Sequence, residues 1–319
     1  MPSKAQGAIH LFQVAGIDLY LHWSWFVIAL YEIQSRNGRY SSITWNVLEY
    51  LALFLIVLLH EFGHALACRQ VGGVANRIML WPLGGVAYVN PPQRPGATLW
   101  SIAAGPLVNV ALFPLLWGAF AFAKTSGWAY TMPDMYVFTR AVLAIDIGLL
   151  VFNLLPVYPL DGGQIVRSLL WFALGRGRSL MVTTILSFVG IAGLIGLAVL
   201  SRSVWTAAIA VFMLMNCWGG LQRARALVRM AKLPRRPGFL CPSCRTAPPL
   251  GAFWVCAQCR QSFDTFETQG VCPHCSARYA KTTCLDCQTQ HPMEAWAASR
   301  PESLAPTLGT SSAELFPPH

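Results

Sequence analysis

The sequence predicts an all-α polytopic membrane protein, a bundle of six spanning helices, with a small zinc-ribbon domain behind it. Three observations carry that expectation. Hydrophobic residues make up 55% of the 319 and charged residues only 11%, with a mean hydropathy of +0.48, whereas soluble proteins carry about 25% charged residues. Apolar stretches recur that approach or exceed the roughly 20 residues needed to cross a bilayer. Four Cys-x-x-Cys pairs then crowd residues 241–287, where the apolar stretches have ended.

In chain order, spans are expected at residues 17–33, 46–70, 98–123, 135–155, 180–200 and 204–221. The first run carries His22 and lacks a small-residue cleavage site, so it reads as a retained span rather than a cleaved signal. His22 itself, beside Trp23 and Trp25, fits an interfacial anchor. Residues 164–174 are too short to span, and either continue the fourth helix or lie near the interface. Basic residues accumulate on the cytoplasmic side of short loops. The stretch after the sixth span holds Arg223, Arg225, Arg229, Lys232, Arg235 and Arg236 with no acid among them. A multi-pass protein of the cell membrane with both termini cytoplasmic is therefore expected.

The net charge of +10 does not point to nucleic acid. Residues 241–319 hold five Lys/Arg and six Asp/Glu, so the excess belongs to the membrane half, where it suits topology and contact with the anionic headgroups of the lipid bilayer.

Within the second span, at the end of the apolar run 50–59, stands His60-Glu-Phe-Gly-His64. Ionisable side chains at the centre of a spanning helix cost about 2.5–3.5 kcal/mol each, so they call for a compensating partner. Four residues apart on a helix, His60 and His64 project from one face, where two imidazoles can share a zinc ion. A catalytic zinc needs a third protein ligand and a position left for water. Asp161, far downstream in LLPVYPLDGG, is the expected third ligand. Glu61, beside the pair, is placed to take a proton from the water and return it to a leaving amine, which is peptide hydrolysis. The competing reading is a chance motif whose histidines merely satisfy neighbouring helices. It is disfavoured by the apolar setting and by a second polar cluster, residues 153–163, that interrupts another span.

Pro156 and Pro159 break the fourth span just ahead of Asp161, and Gly162 and Gly163 permit a tight turn there. Asp146, seven residues before Asn153 on the same helical face, is an intramembrane acid to which the sequence assigns no catalytic role. Gly105 and Pro106, with Ala103 and Ala104, suit close helix packing in lipid, and Asn109 follows at helical spacing.

HEFGH, WPLGGVAY, AAGPLVN and NLLPVYPLDGG, in that order and at these separations, resemble the site-2 protease family of intramembrane zinc metalloproteases over about residues 16–220. The resemblance implies zinc held by His60, His64 and Asp161, Glu61 as general base, and Asn153 as a helper that hydrogen-bonds the substrate carbonyl or the oxyanion. It implies a re-entrant hairpin near the zinc, to which WPLGGVAY contributes. The edge of that hairpin would take up a stretched substrate segment. It implies as substrate the transmembrane segment of another membrane protein, cut in regulated intramembrane proteolysis. Many relatives carry Arg where this chain has Gln164, a departure that touches no expected ligand.

The knuckles Cys241/Cys244, Cys256/Cys259, Cys272/Cys275 and Cys284/Cys287 supply eight of the ten cysteines. Two knuckles make a closed site of four thiolates, so two structural zinc ions are expected beside the catalytic one. The simplest pairing joins the first knuckle with the second and the third with the fourth, with crossed pairings left open. Disulfides are the alternative, which a reducing cytoplasmic location opposes. His274 and His291 are substitute ligands, and Cys68 and Cys217 read as small packed residues. The expected domains are residues 1–232 (protease), 233–240 (linker), 241–291 (double ribbon, a platform for a protein partner) and 292–319 (disordered tail). Two rival functions share this fold. A catalytically silent membrane receptor or chaperone has no need of Glu61, and a transporter with a midplane ion site predicts flux without peptide products.

Overall fold

A computed structural model describes residues 7–35, 38–81 and 84–296. Strand β1 (Ala8–Val14) turns back at Ala15 and Gly16 into β2 (Ile17–His22). Both turn residues have positive φ, 50° and 70°, as the tightest two-residue hairpin requires. Within β2 the side chains of Ile17, Leu19 and Leu21 are buried while their neighbours are half-buried, the period of two that a strand imposes. The first expected span is therefore absent as a continuous helix. Its first half is this strand, and its second is α1 (Ser24–Ser35), whose 12 residues reach only about 18 Å. A hydropathy window registers that Ile17–His22 is apolar and misses that it alternates.

Helix α2 (Ile43–Gln70) carries the HEFGH sequence in its last third. It leads into the hairpin of β3 (Val74–Trp81) and β4 (Gly84–Asn90), in the stretch where a hairpin is expected. The four strands form one sheet in the order β1-β2-β3-β4, with β2 and β3 parallel and the outer pairs antiparallel. The first unit is thus mostly helical rather than all-α. Ile17, Leu19, Ile78 and Leu80 of the sheet pack on Val57, Leu58, Ala65 and Cys68 of α2. Arg69 locks the corner: its guanidinium donates to the carbonyls of Ala15, Gly16 and Ala75.

Helices α3 (Pro95–Thr125), α4 (Trp128–Thr131), α5 (Pro133–Leu154), α6 (Asp161–Ser201) and α7 (Val204–Ala231) follow. Among the described residues four helices, α2, α3, α5 and α6, are long and apolar enough to cross a membrane. Helix α6 is broken at Gly175 (φ 76°, ψ 169°). That break sets residues 161–174 apart from the rest of the helix, and the turn at residues 155–160 sets them apart from α5, so residues 164–174 do not continue the fourth expected span. Where α2 and α3 cross, a Cβ on Gly63 would stand 2.7 Å from the Ala104 carbonyl oxygen, so the small residues of both motifs serve one close approach.

The chain divides into two compact units, Met1–Lys232 and Leu233–His319. In the second, β5 (Trp254–Val255) pairs with β6 (Ser262–Phe263), and β7 (Lys281–Thr283) with β8 (Gln290–Pro292). Its core is Trp254, Phe263, Phe266 and Trp296 among the cysteines. Residues 233–240 pack on this unit: Arg235 pairs with Asp286 at 2.7 Å, Arg236 with Asp264 at 2.6 Å, and the Leu240 N–H donates to the Trp296 carbonyl. Trp296, in a short 3-10 turn beyond residue 291, is fully buried. Residues 292–296 of the expected disordered tail, 292–319, are thus part of this packed unit, and residues 297–319 lie outside the described residues.

Candidate metal centres

His60 and His64 share the buried face of α2, and Asp161 opens α6. Their donor atoms converge. His60 Nε2 lies 3.2 Å from His64 Nε2, and Asp161 Oδ2 is 3.0 Å from the first and 3.3 Å from the second. Ligand atoms bonded to one tetrahedral zinc at about 2.0–2.1 Å stand about 3.3 Å apart, so the spacing fits that ion. The outward nitrogens are occupied as well. His60 Nδ1 is 2.7 Å from Asn109 Oδ1 and His64 Nδ1 is 2.9 Å from the Ser101 carbonyl oxygen, which leaves both Nε2 lone pairs free to point inward. A Cβ on Gly105 would come within 2.3 Å of His64 Nε2 and 2.8 Å of His60 Nε2. Only glycine lets α3 pass the two rings this closely.

The chain between α5 and α6 aims Asp161. Pro156 and Pro159 supply no N–H to a helix, and the backbone instead turns through Val157 N–H to Leu155 O and Leu160 N–H to Val157 O. Ser187 accepts from the Tyr158 N–H at 2.7 Å, and Gln164 Nε2 donates to Pro159 O at 3.0 Å, which gives Gln164 a contact of its own. A Cβ on Gly162 would meet Leu154 O at 2.3 Å, and one on Gly163 would meet Tyr158 N at 2.5 Å. Both glycines are demanded by the tightness of the turn.

Glu61 is 5% exposed. One of its carboxylate oxygens, Oε2, accepts from the Ala87 N–H of β4 at 2.9 Å, so the sheet and the HEFGH helix meet at this side chain. Asn153, one residue from the end of α5, is half-buried with Nδ2 3.4 Å from His60 Nε2. The five membrane residues to which the sequence assigns ligand or catalytic roles, His60, Glu61, His64, Asn153 and Asp161, thus lie around one point. The Ser101 carbonyl escaped sequence reading because a backbone acceptor carries no residue-type signal.

In the second unit the thiols gather as Cys241, Cys244, Cys284 and Cys287, and as Cys256, Cys259, Cys272 and Cys275. The arrangement is nested: the first knuckle pairs with the fourth and the second with the third. That replaces the simplest pairing expected from sequence. Neighbouring sulfurs lie 3.5–3.7 Å apart, near the roughly 3.8 Å spacing of four thiolates on zinc at about 2.3 Å. The residue after each knuckle, Arg245, Arg260, Ser276 or Gln288, has a positive φ of 55–63°, so the four turns repeat one geometry. Cys256 differs from the rest in its surroundings. The Tyr279 hydroxyl, which accepts from the Ala257 N–H at 2.7 Å, lies 3.1 Å from its sulfur and draws the thiol pKa down to about 6.

Residues 49–197 match peptidase family M50, in agreement with the resemblance carried by the four membrane motifs. The chain is 34% identical over 165 residues to a zinc metalloprotease of Methanocaldococcus jannaschii, covering 51% of this chain and 45% of that protein. It is 31% identical over 175 residues to Rip3 of Mycobacterium tuberculosis, covering 51% and 44%. The chain thus spans less than half the length of these two relatives. A solved structure of a site-2 protease from Methanocaldococcus jannaschii shares 26% identity, 67% of this chain and 95% of that one, at a TM-score of 0.48.

Proposed function

From a chain whose residues 49–197 carry the pattern of peptidase family M50, we propose an intramembrane zinc endopeptidase that hydrolyses a peptide bond in the transmembrane segment of another membrane protein. The observation that carries this reading is the convergence of His60, His64 and Asp161, whose donor atoms all lie within 4.8 Å of one another.

Zinc bound by these three residues would supply Lewis acidity and a water whose proton is removable near neutral pH. Glu61 is the residue placed beside the two histidines that would accept a water proton and return it to the leaving amine. The Ala87 N–H anchors Oε2 of Glu61, leaving the other oxygen for the proton. Asn153 offers an amide N–H to the substrate carbonyl as negative charge gathers on its oxygen. Strand β4 is the last in its sheet, and its outer edge gives an unwound substrate segment backbone groups to pair with. Such pairing meets a requirement of the chemistry, since a peptide bond inside a helix is shielded from attack.

The two clusters of four cysteines each hold a structural zinc, and this domain binds a protein partner that recruits substrate or regulates the enzyme. Both termini lie on the cytoplasmic side, and the cut releases a fragment of the substrate in regulated intramembrane proteolysis.

Zinc content of the purified full chain, measured beside cleavage of single-span membrane proteins, tests the reading. Three ions per chain are expected, falling to two in His60→Ala, His64→Ala and Asp161→Ala, with cleavage lost in each. An Asp161→Ala chain that keeps its third ion at full affinity would remove Asp161 from the ligand set.

A further inference from the structure

We infer that Asp146 is a positioning residue for the membrane metal centre: acting through Asn109, it dictates which ring nitrogen of His60 faces the ion. The inference rests on the zinc reading given above.

Asp146 on α5 and Asn109 on α3 are both fully buried, inside helices long enough to span a membrane. Asn109 Nδ2 donates to Asp146 Oδ1 at 2.7 Å, and Asn109 Oδ1 lies 2.7 Å from His60 Nδ1. Asp146 Oδ2 has no hydrogen-bond partner among the described residues. A carboxylate with one oxygen unsatisfied in an apolar interior is an expensive way to fill space. Its chemistry therefore has to explain it.

An amide can present either its oxygen or its NH2 to a neighbour, and a neutral imidazole can carry its proton on either nitrogen. Were Asn109 to turn its NH2 toward His60, Nδ1 would have to accept. The proton would then sit on Nε2, the nitrogen that must be bare to bind metal. A carboxylate only accepts, so Asp146 draws the NH2 of Asn109 to itself. The amide oxygen is left facing His60, Nδ1 carries the proton, and Nε2 keeps its lone pair. His64 needs no such device, because its Nδ1 faces the backbone carbonyl of Ser101, which cannot donate. The requirement for an orienting acid is therefore specific to His60.

The test uses the full chain and follows release of the third zinc to a chelator, the two ribbon ions serving as an internal count. Asp146→Leu and Asp146→Asn should each weaken retention of that ion by about 10–100-fold, the usual consequence of losing a partner behind a histidine ligand. Asp146→Asn keeps the shape of the side chain but can offer a donor, which lets Asn109 turn its NH2 toward His60. The double variant Asn109→Asp/Asp146→Asn puts a carboxylate, which can only accept, directly behind His60, gives it the amide at position 146 as donor, and should restore retention close to wild type. A packing role for Asp146 predicts no loss in the near-isosteric Asp146→Asn. The inference is overturned if Asp146→Leu holds the third ion as wild type does, or if the double variant holds it no better than Asp146→Asn. If Asp146→Leu does not fold, the Asp146→Asn pair decides. A wild-type chain without a third ion would overturn the zinc reading along with the inference, whereas wild-type retention with an unaffected Asp146→Leu overturns the inference alone.

Discussion

The N–H of Ala87 donates to the Glu61 carboxylate at 2.9 Å. A strand at the rim of the sheet therefore holds the acid that lies next to His60 in the chain, and the edge that would receive a substrate is fastened to the group that would move its protons. The proposed base and the proposed docking edge are one assembly.

Glu61→Gln should lower cleavage of a reconstituted single-span substrate by about 10²–10⁴-fold, the range for loss of a positioned acid–base group. Zinc content should stay at the wild-type value, since Glu61 is not among the convergent ligands. Equal and equally poor processing by variant and wild type would favour a silent receptor instead.

Gly105→Ala should strip the membrane zinc and abolish cleavage while leaving the ribbon zinc in place. Its methyl group would fall 2.3 Å from His64 Nε2, inside the space the donors share. Metal analysis of the purified variant reads this directly, and a full complement of zinc would show that α3 can shift aside.

The nested clusters predict which pairs of cysteine losses fall on one ion. Cys241→Ala/Cys284→Ala should lose a single zinc and Cys241→Ala/Cys256→Ala should lose two, because the first pair belongs to one cluster and the second is split between both. Sequential pairing of knuckles predicts the reverse. Zinc counted by mass spectrometry under native conditions separates the two.

The hydroxyl of Tyr279 holds the Cys256 thiol at about 6, so its thiolate survives to lower pH than an ordinary cysteine's. A depressed pKa favours the metal-binding form above that value and loses it as the pH falls through it. Tyr279→Phe should therefore release zinc from that cluster at a higher pH than wild type. An acid titration followed by a zinc-sensitive dye gives the midpoint, and an unchanged midpoint would deny Tyr279 this role.

Much of the candidate metal centre was legible because HEFGH encodes its own geometry: helical spacing alone sets His60 and His64 on one face, and the proline break ahead of Asp161 announces a turn. The link from Asp146 to Asn109 was not legible. It joins α5 to α3 side by side, and nothing in either segment's spacing specifies which buried polar groups will touch. Ile17–His22 hid its strand for a different reason, since in a chain this apolar the alternation of Asp18, Tyr20 and His22 is outweighed by the hydropathy around it. The knuckles were easy to find and their partners were not, because a Cys-x-x-Cys pair states what it binds without stating where the other half comes from.

The nested pairing gives the ribbon domain an order of assembly. Cys256 to Cys275 encloses a short loop, whereas Cys241 to Cys287 closes around all of it, and longer closures forfeit more chain entropy. The inner ion should therefore be captured first during folding and surrendered last under chelation. The outer ion would then act as a clasp that fastens the two ends of the domain only after its middle has formed.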